Sequence, residues 1–453
     1  MIKKRKFALS TTQIILLSFL ATIIIGSILL SLPISSAGGT PVPYLDALFT
    51  ATTSTCVTGL VTLPVASSWS VFGQIVILIL IQIGGLGIIT IMSGIMILIN
   101  KKMGLVDRLL IQDAFNLNTM AGLAKFVRNV LFGTLIVEGI GAILYMLVFV
   151  PEFGPRGIWI SVFTSISAFC NAGIDIISDN SLCSYATNPI VNAVTAALIV
   201  LGGLGYIVWW DVIRVIKTKS KKSKKIFRHL TLHSKIAIAV TLILIFVGAA
   251  LIFIFEYSNP LTVKNMPLFD KIQVSLFQSV TTRTAGFASV PQENLTNASA
   301  VVSIILMIIG GSPVGTAGGI KTVTIAVLIC CALATVKNKN SVTLFGRRIS
   351  DGSIKKAIAV IITFFTICTL STVLLMSTLD ASAIDIVYET VSATATVGLS
   401  RNLTSSLNTI GKIIIIVNMY FGRVGPISLA VALGSKNESQ NVISEPTEEI
   451  SIG

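Results

Sequence analysis

The chain has 453 residues, of which 53% are hydrophobic and 11% charged, with a formal net charge of +14. A soluble domain carries about 25% charged residues, so the composition excludes an ordinary water-soluble fold and indicates a polytopic membrane protein. The positive balance is read as basic cytoplasmic loops, not as a nucleic-acid surface. The six cysteines form no CxxC pair, and neither a zinc site nor a disulfide framework is indicated.

A basic start, Lys3-Lys4-Arg5-Lys6, leads into an apolar run longer than a signal-peptide core, which is read as a retained first helix. Apolar spans are predicted at 11–33, 71–99, 125–150, 189–216, 232–256, 299–336, 355–377 and 409–434. Each exceeds the roughly 20 residues needed to cross a bilayer. Eight crossings leave both termini on one side. Lys101, Lys102, Arg108, seven basic residues between 217 and 228, and Lys337, Lys339, Arg347 and Arg348 all fall on that side, making it cytoplasmic. The opposite links hold few basic residues, chiefly Arg156, Lys264, Arg283 and Arg401.

Those opposite links resemble one another. They read F-T-A-T-T-S-T-C-V-T-G-L (49–60), F-T-S-I-S-A-F-C-N-A-G-I (163–174), F-Q-S-V-T-T-R-T-A-G-F (277–287) and Y-E-T-V-S-A-T-A-T-V-G-L (388–399). Each runs from an aromatic through small and hydroxyl residues to a glycine: Gly59, Gly173, Gly286 and Gly398, separated by 114, 113 and 112 residues. The third copy is one residue shorter, so its register must shift. A second glycine cluster follows each loop, beginning at Gly84, Gly202, Gly310 and Gly422. The expected architecture is therefore an all-α membrane protein of four span–pore-loop–span repeats with pseudo-fourfold symmetry around one pore. The repeats are set at 10–100, 105–218, 230–338 and 353–435, with a cytoplasmic tail at 436–453.

Non-helical backbone at membrane depth is tolerated only where protein buries it or where it lines a wet cavity. Four such loops converging on one axis satisfy that requirement. The first half of each can form a short helix whose C-terminal end favours a cation. The glycine then frees carbonyls to replace the ion's water shell. The candidate ion-binding filter is Val57, Thr58 and Gly59; Asn171, Ala172 and Gly173; Thr284, Ala285 and Gly286; Thr396, Val397 and Gly398. No acid occurs among these residues, which favours a weakly hydrated monovalent ion over Ca²⁺.

At these residues the chain resembles the Trk/Ktr/HKT superfamily of potassium transporters, most closely the KtrB-type membrane subunit. C-V-T-G-L, C-N-A-G-I, R-T-A-G-F and T-V-G-L carry the resemblance, with G-G-S-P-V-G-T-A-G-G-I-K-T (310–322) and Y-F-G-R-V-G-P (420–426). It covers residues 10 to 435. The chain starts directly with the first repeat, which favours Ktr over Trk. The resemblance implies potassium as the transported ion, since sodium-selective plant members tend to carry serine at the first filter glycine. It also implies a bacterial cell membrane, a homodimer and a separate cytosolic nucleotide-binding regulatory subunit ring (KtrA-like). No cofactor is expected in this chain. Sodium dependence stays open, and a sodium-transporting or sodium-coupled member is the alternative reading.

The sixth span is interrupted at 310–319, where so many glycines and a proline break any continuous helix. Gly310, Gly311, Gly315, Thr316, Ala317, Gly318 and Gly319 are read as a flexible gate below the filter; the alternative is a packing hinge. Arg423, a charge deep in an apolar span, could bond the broken loop's carbonyls and repel ions in the closed state, a pairing the resemblance implies. A capping role for Arg423 is compatible with this. The near-match to a phosphate loop fails because Ile320, not glycine, precedes Lys321, and no strand leads into it. A polytopic enzyme would need clustered His, Asp, Glu or Cys, and a voltage sensor would need arginines at every third position; neither pattern appears. Arg283 is expected behind the filter, pointing toward Glu389. His229 and His233 are read as juxtamembrane polar residues, Glu138 has no assigned role, and the 217–225 lysines are either lipid-binding or solvated.

Overall fold

The computed structural model describes residues 10–99, 104–114, 122–219, 226–339 and 341–425. The basic start at 3–6, Lys101, Lys102, the lysines within 221–225 and the tail at 436–453 lie outside these. The first helix, α1 (Thr11–Leu30), opens with a reciprocal cap: Gln13 N–H donates to Ser10 Oγ at 3.2 Å, and Ser10 N–H to Gln13 Oε1 at 3.0 Å. Then come α2 (Tyr44–Cys56), the single turn α3 (Val65–Ser68), α4 (Val71–Leu86), α5 (Ile88–Leu98) and α6 (Leu105–Ala114). The second stretch holds α7 (Leu123–Phe153), α8 (Arg156–Cys170), α9 (Pro189–Leu204) and α10 (Tyr206–Lys219). After the turn α11 (Ile226–His229), the third holds α12 (Leu232–Glu256), α13 (Leu268–Thr281), α14 (Asn297–Ile308) and α15 (Thr322–Val336). A two-residue hairpin, β1 (Thr343–Leu344) with β2 (Arg347–Arg348), leads to α16 (Asp351–Met376), α17 (Ala383–Thr394) and α18 (Thr409–Val424).

A long helix, a short helix and an inner helix thus follow one another four times: α1/α2/α4, α7/α8/α9, α12/α13/α14 and α16/α17/α18. Each long helix packs along its own short helix. Each inner helix also packs against the next short helix, α4 on α8, α9 on α13 and α14 on α17, and α18 returns to α2. Small residues permit the close approach. A Cβ on Gly26, Gly141 or Gly248 would lie 2.7, 2.8 or 2.7 Å from the nearest Cδ1 of Leu80, Leu198 or Leu306. On their other faces the long helices expose apolar side chains, among them Leu135, Ile143, Ile243, Phe246 and Ile362, as a lipid-facing surface requires.

The expected spans at 71–99 and 189–216 are not continuous. The helix pairs α4–α5 and α9–α10 are each bent by 94°, at Gly87 and Gly205. Both glycines have left-handed φ, +84° and +85°, which ends one helix and redirects the chain into the next. Among the described residues four helices, α1, α7, α12 and α16, are long and apolar enough to cross a membrane unaided, and the two bent pairs raise this to six. The sixth span is two short helices, α14 and α15, joined by non-helical backbone; α18 covers 16 residues.

Arg401, an exception among the sparsely basic links, binds two units together. Its Nε donates to Asp385 Oδ1 at 2.6 Å, and its Nη1 to the carbonyls of Gln292 at 2.9 Å and Leu295 at 3.3 Å. Truncation to Arg401→Ala removes charge-assisted bonds at a site only 9% exposed. We expect a stability loss of about 2 kcal/mol, read as a lower melting midpoint of the detergent-purified protein.

Candidate functional site

The four short helices α2, α8, α13 and α17 each end in a three-residue strand: 57–59, 171–173, 284–286 and 396–398. The first residue of every strand is left-handed, with φ of 55° at Val57, 61° at Asn171, 70° at Thr284 and 52° at Thr396. Every closing glycine also has positive φ, while the middle residues do not. That alternation turns carbonyls toward one side of a strand. A left-handed β-branched residue is a true outlier costing roughly 1–3 kcal/mol, and three of the four first positions are β-branched.

Hydrogen bonds absorb most of the strand N–H groups and spare the carbonyls. Thr58, Ala172 and Val397 N–H each donate at 2.8 Å to a helix carbonyl five residues back. In the third strand Ala285 N–H reaches Thr281 O, four residues back, at 3.0 Å, so the shorter loop is accommodated by one residue of register. The hydroxyls of the repeated motif take further amides: Gly59 N–H donates to Thr53 Oγ1 at 2.9 Å, Ile174 N–H to Ser167 Oγ at 3.1 Å and Gly398 N–H to Ser392 Oγ at 3.0 Å. In the third copy Thr281 Oγ1 instead donates to Phe287 O at 2.6 Å.

The four glycines meet. A Cβ on Gly59 would lie 2.5 Å from Ala172 O, on Gly173 2.5 Å from Ala285 O, and on Gly286 2.6 Å from Val397 O. A Cβ on Gly398 would collide with Thr58 O. Each glycine therefore touches the carbonyl of the next strand, and the fourth touches the first. On one side of this ring is a cavity of about 380 Å³ lined by all four glycines and by Asp175, Asp179 and Glu293. The second glycine clusters support the ring from behind. Gly84, Gly202 and Gly422 pack on the carbonyls of Thr55, Phe169 and Thr394, so closely that a Cβ at any of them would collide.

The non-helical segment between α14 and α15 lies on the ring's other side. Its ends are paired: Gly310 N–H donates to Ile320 O, Ile320 N–H to Ile308 O and Thr322 N–H to Gly311 O, each at 3.0 Å. Beyond this neck the loop touches the second, third and fourth units. Ser312 N–H donates to Gly203 O at 2.8 Å, Thr316 N–H to Gly202 O at 3.2 Å, and Gly318 N–H to Thr284 Oγ1 at 3.2 Å. Thr316 Oγ1 donates to Phe169 O at 3.1 Å. Gly315 sits against the Gly202 and Gly203 carbonyls, and a Cβ on Gly311 would meet that of Ala317 at 2.5 Å. Gly319 takes φ +66° as the chain re-enters the neck.

Three cations, Arg283 buried and Lys321 and Arg423 partly so, hold the loop's carbonyls. Arg423 Nη1 donates to Thr316 O at 2.5 Å, and its Nη2 donates to Gly84 O and, at 3.3 Å, to Gly85 O. Lys321 Nζ donates to Ala317 O at 2.5 Å. Arg283 Nη2 donates to Gly310 O at 3.2 Å and Thr241 Oγ1 at 3.4 Å. The expected approach of Arg283 to Glu389 is not found: Glu389 accepts from Ser400 Oγ at 2.6 Å and Thr404 Oγ1 at 2.5 Å. Arg283 turns to the loop neck, where a carbonyl in the broken helix lacks its own amide. Sequence reasoning missed Arg283 and Lys321 as loop partners; the signal available was a cation beside a stretch that must leave carbonyls unpaired.

Residues 3–444 match the TrkH family model, described as a cation transport protein. The chain is 37% identical to the potassium/sodium uptake protein NtpJ of Enterococcus hirae, over 100% of this chain and 99% of that one. It is 39% identical to the Ktr system potassium uptake protein B of Bacillus subtilis, over 97% and 96%. The crystal structure of the potassium transporter TrkH from Vibrio parahaemolyticus shares the fold, with TM-score 0.75 and 16% identity over 95% of this chain and 86% of that one. These relatives are ion transporters and not enzymes. With its apolar spanning helices, the chain is a membrane protein and belongs to the TrkH family of cation transport proteins.

Proposed function

We propose that the protein carries potassium into the cell through the ring of four glycine strands. The observation that carries this reading is the cyclic contact of each ring glycine with the next strand's carbonyl. It supports a pseudo-fourfold pore of four repeats with eight membrane crossings, in which carbonyls replace the water of a monovalent ion. The α2, α8, α13 and α17 C-termini aim their negative dipole ends at the same place. The relatives named for potassium uptake support the choice of ion. An inside-negative potential favours entry by about 2.3 kcal/mol per charge per 100 mV. A sodium-transporting member is the weaker reading, since all four ring positions are glycine; the name of the Enterococcus relative keeps sodium coupling in view.

The 310–319 loop is the gate in this reading, closed by the bonds to Arg423. The basic links put both termini in the cytoplasm. There a nucleotide-binding regulatory ring would act on the gate, as the name "Ktr system" of one relative suggests for a multi-component system. A homodimer in a bacterial cell membrane completes the assembly, with anionic lipid against the basic links.

Three experiments test the reading. Gly→Ser at positions 59, 173, 286 and 398 is expected to abolish potassium-over-sodium selectivity in uptake by potassium-uptake-deficient cells; selectivity retained in all four variants sinks the filter. Arg423→Ala frees Thr316 O, and potassium uptake should rise about fivefold, the effect of ~1 kcal/mol on the closed state. An unchanged rate in both this variant and a deletion of residues 315–319 removes the gate. Finally, burial raises the Asp175 carboxyl to about 6, against the pull of the Ile177 and Ser178 amides. Its charge is thus present above pH 6 and lost below. The KM for potassium should rise as external pH falls from 7.5 to 5.5, and Asp175→Asn should flatten that dependence.

A further inference from the structure

In the four motif copies the residue after the leading aromatic is Thr50, Thr164, Gln278 and Glu389. The Thr50 and Thr164 hydroxyls are buried and have no hydrogen-bond partner among the described residues. Gln278 and Glu389 instead reach the chain that leaves their own strand. Gln278 Nε2 donates to Gln292 Oε1 at 2.6 Å, and the Tyr388 hydroxyl of the fourth unit donates to the same oxygen at 3.0 Å. Glu389 is fully buried, and no Lys, Arg or His among the described residues is in ion-pair contact with it. A buried carboxylate without a cation is costly unless other donors satisfy it.

The donors come from the segment just beyond the fourth ring glycine. Glu389 Oε2 accepts from Ser400 Oγ at 2.6 Å and its Oε1 from Thr404 Oγ1 at 2.5 Å. Ser400 Oγ also accepts the amides of Leu403 at 3.1 Å and Thr404 at 3.3 Å. Its single proton therefore goes to the carboxylate. One turn before Glu389, Asp385 holds Arg401. Three residues after it, Ser392 Oγ accepts the Gly398 amide at 3.0 Å. Residues 385, 389 and 392 share one face of α17, so the helix grips the chain on both sides of the peptide joining Gly398 to Leu399. Gly398, at φ +96°, has no side chain to restrain it. Without the tie at Ser400 that peptide is free to swing and to carry the Gly398 carbonyl with it.

We propose that Glu389 is a positioning residue for cation selectivity: through Ser400 and Thr404 it fixes the outer end of the fourth strand and so the direction of the Gly398 carbonyl. The proposal rests on the reading of the glycine ring as the ion filter. Discrimination between monovalent cations depends on how many carbonyls face the ion and how firmly they are held. A fourth strand that wavers adapts to a smaller ion, and the ring loses its preference. Hydrogen bonds to an ionised acceptor are shorter and about twice as strong as neutral ones, which gives a carboxylate its advantage at this position. The Gln278–Gln292 pair is the neutral counterpart in the third unit, and Tyr388 joins that tie to the helix that carries Glu389.

The test is competitive uptake of potassium and sodium by potassium-uptake-deficient cells, with KM and Vmax for each ion, beside the melting midpoint of the detergent-purified full chain. Glu389→Ala and Ser400→Ala are expected to lower potassium-over-sodium selectivity about tenfold, the scale of one charge-assisted hydrogen bond, through a raised KM for potassium with Vmax largely kept. Glu389→Gln should lose no more than about threefold, because its amide oxygen can still accept from Ser400 and its NH₂ can donate to Thr404 Oγ1. Ser400→Ala and Thr404→Val leave the carboxylate in place and decide the matter if Glu389→Ala does not fold. A lower melting midpoint with selectivity unchanged in every variant overturns the proposal, as does an equal loss in Glu389→Gln and Glu389→Ala. A selective wild type with unaltered variants removes only this role of Glu389, whereas a wild type without preference for potassium removes the potassium reading itself.

Discussion

A carbonyl removed from a helix at membrane depth must find a donor or a cation, and this demand governs the protein from the ring outward. The strands at 57–59, 171–173, 284–286 and 396–398 direct their amides back onto the short helices and onto the hydroxyls of the repeated motif. Their carbonyls are then the groups left for the axis. The broken segment between α14 and α15 meets the same demand differently: its ends pair with each other, and Arg283, Lys321 and Arg423 take carbonyls that no amide reaches. These three cations are there because backbone oxygens are.

Much of this was legible in the residues. The spacing of Gly59, Gly173, Gly286 and Gly398 located the four strands, because only glycine lets a neighbour's carbonyl come so near. The hydroxyl-rich approach to each glycine was visible too, though not its purpose of occupying strand amides. The bends at Gly87 and Gly205 were not legible. Apolar composition continues through them, so hydropathy reads one span where a left-handed glycine ends a helix and turns the chain by 94°. The left-handed Val57, Thr284 and Thr396 were also out of reach, since local preference argues against them and only the surrounding ring enforces them. Arg283 was misdirected for a related reason. Charge pairing suggested Glu389, but a carbonyl stripped of its amide proved the stronger attraction, and Glu389 was already held by Ser400 and Thr404.

The four units share a plan and differ where they must. The third strand absorbs a missing residue by bonding four instead of five positions back. The third inner helix breaks where α4, α9 and α18 run on to a terminal glycine. The fourth replaces a packing glycine with Arg423, which fits because the broken helix opposite has made room and exposed an acceptor. Loss of symmetry in one unit is matched by loss of symmetry in another.

The neck of the loop, paired through Gly310, Gly311, Ile320 and Thr322, carries a mechanical consequence. A segment whose two ends are tied together cannot unravel progressively; it moves as one flap or stays. The tip contacts with Gly202, Gly203, Phe169, Thr284 and Arg423 then behave as a single latch, released together. Under the proposed gating role, motion of that kind would yield two discrete conductance levels with abrupt transitions between them, where an untied glycine tether would give a continuum of partial obstruction.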